Sequence, residues 1–266
     1  MMSSQTTAER PRSSPSILVT NDDGINAAPL AALAEALAPL GRVTAAAPLR
    51  EMSASSRSIS LFRPVRYERI GPGRYGVDGT PVDAVIVAIN HLLDEVPSLV
   101  VSGINQGANL GWNVFYSGTV GAAMEGTLHG IPSFAISISS KKKPPLGPAA
   151  AFAADMAKWL LEHGLPPGVS LNVNVPSDWK SRVRITKLAQ RQARRLKLEP
   201  EDSGVPNSFS IREMIDPAQL AIDSDYRAVQ EGCISITPLA MECAETASLT
   251  QFEAWIQNGA NTWGGA

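Results

Sequence analysis

Ile17-Leu18-Val19-Thr20-Asn21-Asp22-Asp23-Gly24 decides the fold. Its first residues are aliphatic and β-branched with no polar alternation, the pattern of a strand buried on both faces of a parallel sheet. The run ends in two adjacent carboxylates and a glycine that permits a sharp turn. In open α/β sheets ligands bind beyond the carboxyl ends of such strands, so Asp22 and Asp23 stand where a site is expected. Side by side they repel unless something positive joins them, and a hard divalent cation is the simplest such partner. A solvated Asn-Asp-Asp-Gly turn is the plainer alternative, since these residues dominate turns.

Downstream, Ala28 to Leu40 reads as a helix packed on a sheet, ended by Pro39 and Gly41, and Arg42 to Ala47 as a second strand. Strand, helix and strand in this order imply a right-handed unit with parallel strands. Ile59 to Val77 reads as a hairpin around Gly71-Pro72-Gly73. Thr80-Pro81-Val82-Asp83 supplies a cap, a proline at the first helical position and an acid in the first turn of a helix reaching Leu93. Strands are expected at Leu99–Ser102, Phe134–Ser139 and Leu171–Val175, with helices at Thr119–His129 and Ala149–His163. Residues 103–113 read as a Gly- and Asn-rich loop. The texture changes from Lys180: residues 180–197 carry eight Lys or Arg and no acid. The expected organisation is a tail over 1–15, an α/β core over 16–178, and a C-terminal β-rich region of irregular arms over 179–266.

Composition narrows the function. A net charge of −2 gives no argument for wholesale binding to nucleic acid or acidic membranes. Two cysteines form neither a disulfide framework nor, without a Cys/His cluster, a zinc site. The start of the chain has no apolar core of a signal peptide, so a cytoplasmic protein is expected. No Gly-x-Ser-x-Gly elbow and no Gly-x-Gly-x-x-Gly after the first strand is present, which argues against a serine hydrolase and a dinucleotide dehydrogenase.

Four polar loops follow core strands or open helices: residues 21–24, the serine-rich 53–58, Ser102 to Asn109, and Tyr116-Ser117-Gly118-Thr119. In a parallel sheet they converge at one edge. Their oxygen donors suit Mg²⁺ or Mn²⁺ rather than zinc. Ser117-Gly118-Thr119 opens a helix, where free N–H groups and the dipole favour an anion such as phosphate; a plain N-cap by Ser117 is the simpler reading.

Together these loops resemble the SurE (survival protein) family of metal-dependent 5′/3′-nucleotidases. The likeness rests on residues 17–24, Ala47-Pro48 with Ser53 following, Gly79-Thr80-Pro81-Val82-Asp83, Val101 to Gly111, Tyr116 to Val120, and Asp225-Tyr226-Arg227-Ala228-Val229 running to Leu239. It implies a Rossmann-like, mostly parallel sheet flanked by helices, with a C-terminal arm region used in oligomerisation and a terminal helix. It implies one divalent ion per subunit held by Asp22, Asp23, Ser53 and Asn105, with Asp22, Asp23 and Asn105 catalytic. It also implies phosphate or substrate binding by Asn109, Ser117, Gly118 and Thr119, a nucleoside monophosphate substrate, and a homodimer or homotetramer. Leu49 and Ala84 depart from the family pattern at places where an acid and a cysteine are frequent, neither of them a ligand position. An aspartyl-phosphate route through Asp22 is a variant mechanism. A non-catalytic receiver module also keeps an acidic pair after its first strand, but it needs an acceptor Asp ending a third strand and a distant Lys, which are not in place. The rings of Trp112, Phe115 and Tyr116, just before the phosphate loop, are candidates for stacking on a base.

Overall fold

The computed structural model describes residues 14–139, 145–179, 182–201, 205–244 and 246–254. The tail expected over 1–15 lies outside these residues except for Ser14 and Pro15, and the expected terminal helix is described only as far as 254. The elements in chain order are β1 (Ser16–Thr20), α1 (Ala28–Leu37), β2 (Arg42–Pro48), β3 (Tyr67–Gly71), β4 (Arg74–Val77) and α2 (Pro81–Val87). They continue with β5 (Leu99–Gln106), α3 (Gly118–Leu128), β6 (Ser133–Ser139), α4 (Gly147–His163) and β7 (Val169–Pro176). The last are β8 (Arg182–Ile185), β9 (Arg194–Pro200), β10 (Phe209–Ile215), α5 (Asp225–Gln230) and β11 (Cys233–Ala240).

Among the described residues, nine strands form one sheet in the order β3-β4-β2-β1-β5-β6-β7-β11-β8. The run from β4 to β7 is parallel; β3 on β4 and β11 on β7 are antiparallel. The fold is thus α/β with a mostly parallel sheet. β1 is buried along its whole length and its side chains alternate between two helical layers. Ile17 and Val19 pack with Leu30, Leu33 and Leu37 of α1 and Ala153, Ala157 and Leu160 of α4. Leu18 and Val100 point the other way, onto Val85, Ala88 and Ala122 beside α2 and α3. That is why the strand shows no polar alternation. From β1 the chain winds outward to β2, returns through α2 and enters β5 on β1's other flank. The sheet therefore has a switch point between β1 and β5, with Thr20 level with Ser102.

Two readings of the chain change. Residues 103–106, expected in a loop, continue β5 as strand, and the loop proper is 107–110, followed by a 3-10 turn over Gly111–Phe115. The helix at Asp225–Gln230 was not anticipated. Beyond 178, β11 and β8 rejoin the main sheet, while β9 and β10 pair with each other as an antiparallel ribbon. Among the described residues no helix is long and apolar enough to cross a membrane.

α3 lies unusually close to the sheet. A Cβ on Gly126 would stand 2.8 Å from Val100 Cβ. Gly126→Ala is therefore expected to overpack this contact and destabilise by about 1–3 kcal/mol, against the small gain alanine normally brings to a helix interior; a melting temperature equal to or above the parent's would contradict the close packing.

Candidate active site beyond β1 and β5

The turn after β1 is built by Asn21. Its side chain accepts from Gly24 N–H at 3.1 Å and donates to Gly24 O at 3.2 Å, closing the turn around the two acids. Gly24 sits at φ +104°, a region closed to most L-residues. Asn21 is fully buried, so the carboxylates that follow are fixed by a side chain that never meets solvent.

Three segments close on Asp22. Met52 N–H donates to Asp22 O at 2.7 Å. The Thr119 hydroxyl donates to Asp22 Oδ1 at 2.5 Å. The start of α3 comes so near that a Cβ on Gly118 would be 2.6 Å from Ser55 Oγ and 3.0 Å from Asp22 Cβ. Only glycine allows this approach. Ser56 then joins the serine loop to the other side of α3, its N–H donating to Tyr116 O at 3.0 Å and its Oγ to Phe115 O at 2.6 Å.

The expected site residues therefore fall into groups. Asp22, Gly118 and Thr119 are brought together. Thr119 is fully buried and its one hydroxyl proton goes to Asp22, so it orients a carboxylate rather than donating to a phosphoryl oxygen. Ser117 Oγ accepts from Val120 N–H at 3.1 Å, the N-cap role, and keeps its own proton to donate. Asn105 lies at the same sheet edge, three residues past Ser102, with its amide nitrogen given to Gly107 O at 2.6 Å. Ser53 is exposed and donates to Glu51 Oε1 at 2.8 Å. The serine that lies against the start of α3, next to Gly118, is Ser55, whose buried Oγ has no hydrogen-bond partner among the described residues. A run of four serines within six residues could not show which of them reaches inward.

Asn109 is held from below. Its side chain donates to Ser137 Oγ at 3.0 Å, its N–H to Asn174 Oδ1 at 2.8 Å, and its carbonyl accepts from Asn172 and Asn174. Two residues on, Gly111 N–H donates to Asp225 Oδ2 at 2.6 Å, and Asp225 Oδ1 accepts from Ala189 N–H at 3.0 Å and Tyr226 N–H at 2.8 Å. Burial pushes the Asp225 carboxyl up and these N–H donors oppose it. Asn172 and Asn174 were not recognised from the sequence, and Asp225 was read only as part of the family motif, not as a bridge. Asn-x-Asn in β7 breaks an apolar run with buried amides, and that was the available signal. Leu49 packs against the core and Ala84 is buried in α2.

Electrostatics distinguish the pair itself. Burial pushes the Asp22 carboxyl above its ordinary value against the Thr119 hydrogen bond. Asp23 is pushed up to about 6, first by burial and then by the charges of Asp22 and Glu51. No cationic side chain among the described residues acts on either acid. Asp23 Oδ2 is buried with no hydrogen-bond partner among those residues. A divalent ion would meet each of these deficits, and the donor set of two carboxylates with neutral oxygens from Asn105 and the serine loop is hard enough for Mg²⁺ or Mn²⁺. No group of three or more His, Cys, Asp or Glu that could hold a metal occurs among the described residues, so any ion here relies on neutral donors beside the acid pair.

A mostly parallel α/β sheet with a buried and a half-buried carboxylate at its switch point, beside a helix N-terminus, belongs to the class of α/β proteins whose polar groups gather beyond the carboxyl ends of the strands. The family described as Survival protein SurE matches residues 17–195. The "5'-nucleotidase SurE" of Geotalea daltonii is 43% identical over 244 residues, covering 90% of this chain and 98% of the relative. That of Geobacter sulfurreducens is 42% identical, covering 90% and 93%. The crystal structure of the SurE protein from Aquifex aeolicus superposes with a TM-score of 0.82 at 33% identity, covering 91% of this chain and 99% of that one. The chain belongs to the SurE family.

Because Thr119 serves Asp22, Thr119→Val should lower kcat while leaving competitive inhibition by inorganic phosphate nearly unchanged, and Thr119→Ser should restore most of the rate. Loss of a hydrogen bond to a charged group corresponds to about 1.5–3 kcal/mol of orientation energy. Weaker phosphate inhibition without a change in kcat would move Thr119 to the phosphate instead.

Proposed function

We propose that the chain is a phosphoric monoester hydrolase of the 5′-nucleotidase type, converting nucleoside 5′- and 3′-monophosphates to nucleoside and phosphate with one divalent ion per subunit. The observation that carries this reading is the buried, cation-free Asp22–Asp23 pair set against the first turn of α3. When bound, the ion supplies charge neutralisation at the phosphoryl group and a more acidic water. Asp22, Asp23 and Asn105, with a serine of the 53–58 loop, would hold it. Thr119 keeps Asp22 in one orientation. The first-turn N–H groups of α3 and the Ser117 hydroxyl donate to phosphoryl oxygens, where preorganised donors stabilise developing charge. Substrate choice rests on the surroundings: Trp112, Phe115 and Tyr116 are exposed, with Trp112 and Phe115 5.3 Å apart between ring centroids. Arg194 covers one face of Tyr116 at 5.2 Å. Such rings stack on any base, a contact worth roughly 1–3 kcal/mol.

Phosphate release from AMP with Mn²⁺ tests the reading. Chelator should abolish turnover, Asp22→Asn and Asp23→Asn should do the same without unfolding the protein, and glucose 6-phosphate should be a poor substrate. Asp23→Asn should also raise the melting temperature of the metal-free protein, since it removes a buried repulsion. Full rate in chelator sinks the metal assignment; equal efficiency on glucose 6-phosphate sinks the stacking.

The same reading makes the enzyme a homodimer or homotetramer joined through its C-terminal third. The β9–β10 ribbon exposes Leu196, Leu198, Phe209, Ile211 and Met214. A two-stranded ribbon with an open apolar face is marginal alone. A groove of about 610 Å³ between α4 and the β7–β11–β8 edge adds Met156, Trp159, Val183 and Ile185. Four of the eight basic residues in 180–197 are paired internally, Arg184 with Glu231, Lys187 with Asp223, Arg194 with Glu213 and Lys197 with Glu199, which argues against nucleic acid as the partner. The free cysteines fit a reducing cytoplasm. Leu198→Asp with Ile211→Asp should lower the mass seen by light scattering. An unchanged mass, or nucleic-acid binding with a steep salt slope, would overturn this assignment.

A further inference from the structure

The motif Gly79-Thr80-Pro81-Val82-Asp83 does more than start α2. Its capping box is complete: Thr80 Oγ1 accepts from Asp83 N–H at 3.0 Å and Asp83 Oδ2 accepts from Thr80 N–H at 2.9 Å. In such a box each side chain ordinarily serves the helix backbone and nothing else. Here both side chains also reach the end of the serine loop. Asp83 Oδ1 accepts from Ser60 N–H at 2.9 Å and Asp83 Oδ2 from the Ser60 hydroxyl at 2.7 Å. Thr80 Oγ1 donates its proton to Ser58 O at 2.7 Å. Asp83 is buried, and Gly79 must lack a side chain because a Cβ there would be 2.6 Å from Asp83 Oδ2.

The serine loop needs such an outside hold. Within three residues Ala54 and Ser56 both adopt left-handed backbone, at φ 59° and 55°, a region sparsely populated by residues with a Cβ. Conformations of this kind persist only where the surroundings over-determine them. The loop's entry is held by Asp22 O through Met52, and its middle by Phe115 and Tyr116 through Ser56. Its exit is held by Asp83 and Thr80. We infer that Asp83 is a positioning residue for the hydrolytic reaction, clamping the serine loop at Ser60 so that Met52 stays on Asp22 and Ser55 and Ser56 stay against the start of α3 and the turn before it. The inference rests on the proposed reaction only for its kinetic consequence; the clamp itself is a statement about the loop.

The test uses the full-length enzyme. Asp83→Asn keeps the size of the side chain but cannot accept at both ends, and Ser60→Ala removes one donor while leaving the helix cap intact. Asn90→Ala is the control, since the Asn90 side chain donates to Ile86 O at the far end of the helix region, away from the loop. kcat and KM for AMP are measured with saturating Mn²⁺, together with amide hydrogen exchange across 50–60. Asp83→Asn is expected to lower kcat by about tenfold or more with little change in KM, as small misplacements do. Exchange at Met52 and Ser56 should rise by about tenfold while β1 stays protected, local opening without global unfolding. Ser60→Ala should shift both readouts in the same direction to a smaller extent, and Asn90→Ala should shift neither. Asp83→Asn with parental kcat, or with unchanged exchange at 52 and 56, overturns the clamp. A parent protein that releases no phosphate from any nucleoside monophosphate overturns the proposed reaction, and the exchange data still decide the clamp.

Discussion

Two carboxylates on consecutive residues, one buried and one half-buried, at the end of a strand buried on both faces, are the constraint on which the rest of the structure depends. A folded chain can relieve such a pair by pairing it with a cation, by hydrogen-bonding it or by protonating it. Here hydrogen bonding is given to one member only: Asp22 has Thr119, and Asp23 has an oxygen without a partner among the described residues. The arrangement is unfavourable for stability by itself.

Apart from Glu51, whose charge also acts on both acids, the groups brought up to the pair are neutral oxygens and N–H groups. Gly118 removes the side chain that would keep α3 away. Asn21 closes the turn internally instead of presenting its amide to the acids. Asn109, Ser137, Asn172 and Asn174 form a wholly uncharged network under the neighbouring loop. Hydrogen-bonded in this way the network fixes one geometry, although Asn172 Oδ1 is left without a partner among the described residues. Under this loop, rigidity therefore comes from amides and hydroxyls.

The central layer was legible in the sequence because both-face burial leaves a plain signal. An unbroken apolar run such as Ile17–Val19 can only be a strand between two helical layers, and the carboxylates after it could be placed at the sheet edge without coordinates. The cap at Thr80 and the helix start at Ser117 were legible for a similar reason: local chemistry decides them. What stayed hidden was partnership across the fold. Nothing local tells Ser55 from Ser53, or says that the Thr119 hydroxyl turns to Asp22, since both outcomes depend on how closely α3 approaches β1. Asp225 was seen as a family motif but not as a bridge, because its three N–H donors come from residues 111, 189 and 226. Residues 103–106 read as a loop because Gly and Asn are poor strand formers, yet pairing with β6 overrode that preference.

The C-terminal ribbon is joined to the same site by two independent sets of contacts. Arg194, at the start of β9, donates to Glu213 Oε1 at 2.6 Å and to Asn113 Oδ1 at 3.0 Å, and Asn113 returns a hydrogen bond to Glu213 Oε2 at 2.8 Å. Asn113 lies in the 3-10 turn that carries Trp112 and Phe115 and leads to Tyr116. Asp225 ties Gly111, at the start of that turn, to Ala189 on the approach to β9. The aromatic wall before the phosphate loop is therefore held from one end by the serine loop, through Ser56, and from the other by the base of the ribbon. A ribbon with an open apolar face is ordered by whatever covers it, and its base sets the position of these rings. The position of the ribbon and the position of these rings are thus coupled through Arg194, Glu213 and Asn113 and, separately, through Asp225.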